Sequence, residues 1–252
     1  MVGLFSADTS EENLKQLLAE NLPDLPLASC LLSRLEDQDW ERAWLDDYKP
    51  MCFGDTLWVC PSGMQINTGE GSGRQVIMEL DPGLAFGTGT HPTTAMCLEW
   101  LATADLAGRH VIDYGCGSGI LGITALLLGA DSVSGVDNDP QALTATHDNC
   151  DKNTLAHERF PVYLPKDFAN ALADGSQAAA DIVLANILAG PLVSLAPYLA
   201  AMVRPQGTIL LSGILREQAE EVMAAYAPWF DLAEPVYQGD WTRLEGKRDS
   251  QH

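Results

Sequence analysis

The chain has 252 residues, 46% of them hydrophobic, with 35 acidic against 14 basic side chains and a formal net charge of -21. That length buries one large core with room for a small appendage. The negative field repels phosphate backbones and anionic lipid surfaces, which argues against nucleic acid as a direct partner and makes a basic protein a plausible one. Six cysteines, Cys30, Cys52, Cys60, Cys97, Cys116 and Cys150, form no C-x-x-C pair, which speaks for reduced thiols in the cytoplasm and against a zinc site or disulfide frame. The amino terminus lacks a basic, then apolar, leader pattern, and no apolar run reaches the roughly 18 residues of a membrane span. The expectation is an unexported, soluble monomer without a metal.

In chain order, residues 2–5 form a short apolar run and Thr9 with Glu12 spells a capping box. A helix follows with Leu14, Leu17 and Leu18 on one face, then an apolar stretch over 28–35. Strand, helix, strand in about 36 residues buries too little to stand alone, so either residues 1–36 dock on the rest of the chain or part of their domain is absent. Residues 37–56 read as a linker helix, with Trp40 and Trp44 at i and i+4. Residues 57–252 read as the main domain. Glycines and serines over 66–74 mark a surface turn between strands. Beyond about residue 95, helices over 93–102 and 120–128 alternate with buried strands over 109–114, 132–136, 182–185 and 208–211, the pattern of a doubly wound α/β sheet. Segments 232–237 and 241–246 flank Gln238-Gly239-Asp240 and predict an antiparallel hairpin at a sheet edge.

The strongest local signal is Asp113-Tyr114-Gly115-Cys116-Gly117-Ser118-Gly119, where a buried strand enters alternating glycines and then a helix. Glycines permit positive φ and close approach of backbone to a ligand, and the helix start offers free N–H groups. Gly117, Gly119 and Gly122 also satisfy G-x-G-x-x-G with Asp137 beyond, so a nicotinamide dinucleotide competes as cofactor. Against it, Asp113 at the strand end would repel a pyrophosphate but attract the ammonium of a methionine moiety. Asp137 can accept both hydroxyls of a ribose, while Asp139 with Pro140 reads as a helix cap.

Asn186 ends an apolar strand at the carboxyl edge where open α/β sheets bind ligands. Ile187, Leu188 and Ala189 follow it, leaving no ring on which a nucleobase could stack. An aliphatic amine suits that end better. Residues 80–94 lack a P-loop ending. Pro92 suits a first helical turn, Thr90 or His91 caps it, Thr94 faces the cofactor from the helix start, and Phe86 is available to cover it.

Asp113 to Gly119 with Asp137 resembles the first two motifs of the Rossmann-like class I methyltransferases, in which the glycine turn lies under the cofactor's amino acid part. Residues 80–94, Asp39-Trp40, Trp44 and residues 185–188 narrow the resemblance to the PrmA family, bacterial methyltransferases of large-subunit ribosomal protein L11. It implies S-adenosylmethionine as cofactor, held by Thr94, Asp113, Gly115, Gly117, Asp137 and Asn186, with Asn186 at the transferred methyl. Asn186 resembles the first residue of the Asn-Pro-Pro-aromatic motif of amino-group methyltransferases, but Ile187 and Leu188 replace its prolines and Ala189 its aromatic. The resemblance also implies lysine ε-amines and a terminal α-amine as acceptors, repeatedly methylated, on a ribosomal protein recognised by a ferredoxin-like amino-terminal domain. Only the second half of that domain is visible in this sequence, so the expectation is a remnant over residues 1–36.

Overall fold

The computed structural model describes residues 10–21, 49–64, 66, 75–81, 87 and 89–250. The chain divides into two compact units, Met1–Ala43 and Trp44–His252.

In the first unit, helix α1 spans Glu11–Asn21. Its cap is Ser10, whose Oγ accepts the Asn13 N–H at 3.1 Å, one residue later than the capping box the sequence suggested. Leu14 is buried and Leu18 half-buried, four residues apart on one face, whereas Leu17 is 52% exposed and leaves the expected stripe. The segments 2–5, 28–35 and 39–45, read as strands and a linker helix, lie outside the described residues.

The second unit begins with three short strands, β1 (Met51–Phe53), β2 (Leu57–Cys60) and β3 (Val76–Glu79). Residues 51–53 had been assigned to the end of the linker helix. They are a strand instead, because Phe53 turns back through Gly54-Asp55 to pair antiparallel with Leu57. β2 and β3 are parallel, Leu57 opposite Val76; the surface turn expected over 66–74 lies, apart from residue 66, outside the described residues.

The remaining elements are α2 (Pro92–Thr103), β4 (His110–Tyr114), α3 (Ile120–Leu127), β5 (Ser132–Val136), α4 (Pro140–Lys152), β6 (Val162–Tyr163) and α5 (Pro165–Ala173). They continue as β7 (Ala180–Asn186), α6 (Ala189–Ser194), α7 (Ala196–Met202), β8 (Val203–Leu215), α8 (Ala219–Tyr226), β9 (Phe230–Leu232), β10 (Val236–Gln238) and β11 (Trp241–Arg248). The large sheet has the order β10-β11-β8-β7-β4-β5-β6, with β9 also beside β11. β8, β7, β4, β5 and β6 are parallel, and β11 closes antiparallel on β8. From β4 the chain winds outward to β5 and β6, then returns to β4's other side for β7 and β8. The switch point therefore falls between β4 and β7, where doubly wound sheets bind ligands.

One face is covered by α2, α3 and α4, whose Leu98, Leu101, Ile123 and Cys150 share a core with Phe53, Leu57 and Met78 of the small sheet. The other is covered by α5 to α8 through Phe168, Leu192, Leu199, Val222 and Tyr226. Buried Tyr226 donates its hydroxyl to the Leu192 carbonyl at 2.9 Å, which satisfies its polar end and locks α8 to α6.

Two elements differ from expectation. β8 is longer than its apolar stretch 208–211, because its polar leader pairs with β7 at Val203 and its end pairs with β11 at Leu215. The terminal hairpin forms around Gly239, at φ +60. Its outer strand is broken into β9 and β10, with Pro235, which has no N–H for the ladder, between them.

Gly122 lies on the inner face of α3, where an added Cβ would come 2.6 Å from Phe160 Cε1 and 3.0 Å from Val133 Cγ1. Gly122→Ala is expected to destabilise the domain by about 1–3 kcal/mol through overpacking. Urea unfolding measures this, with the smaller ring-free variant Phe160→Leu expected to relieve part of the cost in the double mutant.

Candidate functional site

The glycine turn after β4 uses the left-handed region at Gly115 (φ +83), Gly117 (φ +55) and Gly119 (φ +78), conformations that side chains with a Cβ rarely accept. The N–H groups of Gly115 and Cys116 both donate to the Val136 carbonyl, at 2.7 and 3.1 Å, folding the turn against the end of β5. Asp137, the next residue, reaches back. Its Oδ2 accepts from the Gly117 N–H at 2.9 Å and its Oδ1 from the Asp139 N–H at 3.0 Å. Asp139 caps α4 through the Gln141 N–H at 2.9 Å, with Pro140 in the first turn.

Two side chains outside the motif and one within it fix the same turn. Thr146 Oγ1 donates to the Gly117 carbonyl at 3.1 Å and Asn149 Nδ2 to the Ser118 carbonyl at 2.9 Å, both from α4. Ser118 Oγ donates to the Gly87 carbonyl at 2.6 Å, tying the turn to the segment that precedes α2. Sequence gave no signal for Thr146 and Asn149, since polar residues on a helix read as solvent-facing until the sheet is assembled.

Asp113 is 1% exposed. It stands at the end of β4, where the sequence pattern put it, and is turned inward beneath the turn, its Oδ2 accepting the Gly122 N–H at 3.0 Å. Its Oδ1 is buried and has no hydrogen-bond partner. Desolvation, opposed by the Gly122 hydrogen bond and reinforced by the charge of Asp137, pushes its pKa up to about 7. A buried, half-satisfied carboxylate is costly, and a cation arriving above the turn would offset that cost. The donor set thus fits a ligand that is cationic near Gly115 and carries hydroxyls near Asp137.

On the other side of the switch point, Asn186 ends β7 and donates through Nδ2 to Thr94 Oγ1 at 3.2 Å. Thr94 is fully buried in the first turn of α2. Ser212, paired with Asn186 across β7 and β8, donates its hydroxyl to the Thr93 carbonyl at 3.1 Å. His91 is the helix cap, its ring Nδ1 accepting from the Thr93 N–H at 3.4 Å, and its ring lies edge-on to Trp241 at 4.8 Å. Capping therefore accounts for His91. Ser212 and Trp241 were not singled out from sequence. Ser212 had a usable signal, a polar residue directly after an apolar strand, the same signal that marked Asn186.

The structure brings Asp113, Gly115, Gly117 and Asp137 together at the ends of β4 and β5, and Thr94 with Asn186 at the end of β7. Phe86 lies outside the described residues. A glycine turn, a carboxylate one strand over and an amide across the switch point define a class I S-adenosylmethionine-dependent methyltransferase. Residues 1–249 match the family model described as ribosomal protein L11 methyltransferase (PrmA). The chain is 51% identical over 254 residues to the ribosomal protein L11 methyltransferase of Marinobacter nauticus, covering 98% of this chain and 80% of that protein. It is 53% identical over 248 residues to that of Pseudomonas aeruginosa, with the same two coverages of 98% and 80%. Among solved structures, ribosomal protein L11 methylase from Lactobacillus delbrueckii subsp. bulgaricus superposes with a TM-score of 0.66 at 30% identity, over 80% of this chain and 100% of that one. The chain belongs to the ribosomal protein L11 methyltransferase family, and it is an S-adenosylmethionine-dependent protein methyltransferase.

Family membership removes the dehydrogenase alternative. The glycines alone could not, because Gly122 serves close packing of α3 on β5, which both cofactor classes require.

Ionised Asp113 favours a cationic ligand, and its pKa near 7 makes that preference pH-dependent. A cation bound above Asp113 would lower this pKa, so affinity for the methyl donor is expected to rise as pH increases through 7, with proton release on binding. Because the folded pKa lies above the unfolded one, Asp113 itself costs the ligand-free fold stability as pH rises from about 4 to 7. Asp113→Asn is expected to weaken donor binding at least tenfold at pH 8, to flatten its pH dependence, and to leave thermal stability at pH 8 unchanged or higher. Calorimetric titration across pH 6–9 and thermal melts test both halves.

Proposed function

We propose that the chain transfers methyl groups to amino groups of ribosomal protein L11, on lysine side chains and the terminal α-amine, with Asn186 orienting the acceptor nitrogen. The observation that carries this reading is the Asn186–Thr94 hydrogen bond at the end of β7. With Nδ2 committed to Thr94, the amide's Oδ1 is left to accept an N–H from the incoming amine, which turns the nitrogen lone pair away from Oδ1. Gly115 and Gly117 give the donor's amino acid part close access to backbone, Asp113 supplies negative potential beneath its ammonium, and Asp137 takes the ribose. Thr94 holds Asn186 and lines the same side.

S-adenosylmethionine supplies an already activated methyl on a sulfonium with a neutral leaving group, so the protein's task is proximity, orientation and exclusion of water. The acceptor must be unprotonated, although a free lysine has a pKa of about 10.4. Ile187, half-buried, and Leu188 make the surroundings of Asn186 apolar, which disfavours an ammonium, and Leu188, 69% exposed, offers the surface on which the acceptor's methylenes pack. No carboxylate or imidazole has to act as base in this arrangement.

The net charge of -21 steers a basic ribosomal protein toward the enzyme. Among the described residues no helix is long and apolar enough to cross a membrane. A ribosomal acceptor supports action in the cytoplasm, and the proposed state is a monomer. Residues 1–36 serve in recognising the ribosomal protein, and residues 57–252 carry the chemistry.

Mass spectrometry of ribosomal protein L11 after incubation with enzyme and donor is expected to show gains in single-methyl steps. Asn186→Ala should lower kcat about 100-fold or more while donor affinity falls less than tenfold, since the lost interaction orients the acceptor. Unchanged turnover in that variant would remove Asn186 from the acceptor site.

A further inference from the structure

Ile187 follows Asn186 directly and touches both sides of the switch point. Its Cγ2 methyl occupies the space that a Cβ on Gly115 would need, well inside van der Waals contact. Its own peptide lies against Gly213, where an added Cβ would come 2.8 Å from the Ile187 carbonyl carbon and closer still to its oxygen. Gly213 takes φ +84, and the neighbouring Ser212 is the partner of Asn186 in the sheet. The backbone of Ile187 is thus pinned to β8, while one branch of its side chain props the first glycine of the turn. The rest of the side chain packs on the core beneath α5 to α8.

We propose that the Cγ2 methyl of Ile187 is a spacer that fixes the height of the glycine turn relative to Asn186, making Ile187 a positioning residue for methyl transfer. The inference rests on the reading that the donor lies over Gly115 and the acceptor nitrogen at Asn186. In-line displacement needs the nitrogen about 3–3.5 Å from the methyl carbon, and a displacement of about 1 Å costs on the order of 100-fold in rate. The turn is held on its far side by Val136, Asp137 and Thr146. From the near side Ile187, one residue past the end of β7, meets it through Cγ2. The glycine at 115 is then required twice, by its positive φ and by the methyl that fills the place of a side chain.

β-Branching makes the proposal separable from ordinary packing. Ile187→Val keeps Cγ2 and loses Cδ1, whereas Ile187→Leu keeps the carbon count and loses Cγ2. Both are small changes at a half-buried site, so a residue that merely fills space would tolerate leucine at least as well as valine. The spacer predicts the reverse. Ile187→Val should retain at least a third of parental kcat, and Ile187→Leu should lose at least tenfold. Both should keep donor affinity, measured by calorimetry, within about fivefold and KM for the ribosomal protein within about threefold, with thermal midpoints close to the parent. A leucine variant as fast as the valine variant, or a rate loss matched by an equal loss of donor affinity, overturns the spacer. Asp137→Ala and Asn186→Ala measured in parallel separate the two levels. If the first leaves donor binding and the second leaves kcat unchanged, the underlying site reading fails. If both behave as expected while leucine is tolerated, only the spacer fails.

Discussion

The parallel pairing of β4 with β7 is the constraint on which the site depends. Val111, Ile112 and Asp113 lie opposite Ile182, Val183 and Leu184, so two strands far apart in sequence end side by side. The glycine turn leaves one and Asn186 ends the other. A parallel pair can be joined only by a long crossover, and here that crossover includes β5 and β6, so the same topology that opens the crevice also brings Asp137 to its rim. Winding outward in both directions from this pair is what opens a crevice at the strand ends of a doubly wound sheet.

Around that gap the chain exchanges stability for readiness. Asp113 is kept almost wholly out of water with one oxygen unpartnered, an arrangement that a fold selected for stability alone would replace with an apolar residue. Its neighbour Asp137 makes ionisation harder still. In compensation the turn is tied down by backbone N–H groups on the Val136 carbonyl and by Thr146, Asn149 and Ser118. The site is therefore electrostatically strained and geometrically fixed before any ligand arrives, which is the condition under which oriented dipoles and charges act without reorganisation.

The first turn of α2 is the second anchored element. Thr94 on Asn186, Ser212 on the Thr93 carbonyl and His91 against Trp241 bind it to β7, β8 and β11 at once. The antiparallel β11 thus bears on the Asn186 side of the crevice, because it pairs with β8 past Ser212 and presents Trp241 to the helix cap.

The sequence by itself determined what is local. The glycine turn, the caps at His91 and Asp139, the strands over 132–136 and 109–114 and the turn at Gly239 all depend on backbone preferences within a few residues, and they stand where the pattern put them. The family motifs likewise named Asp137 and Asn186. Tertiary structure decided what depends on register between distant strands: that Asp113 is buried with one oxygen unpartnered, that β8 runs on to Leu215, that Ser212 braces α2, and that Ile187 meets Gly115. Burial and close approach are properties of the assembled sheet. A side chain's pattern of neighbours in sequence shows whether it suits a strand end, but only the pairing of β4, β7 and β8 fixes which atoms stand across from it.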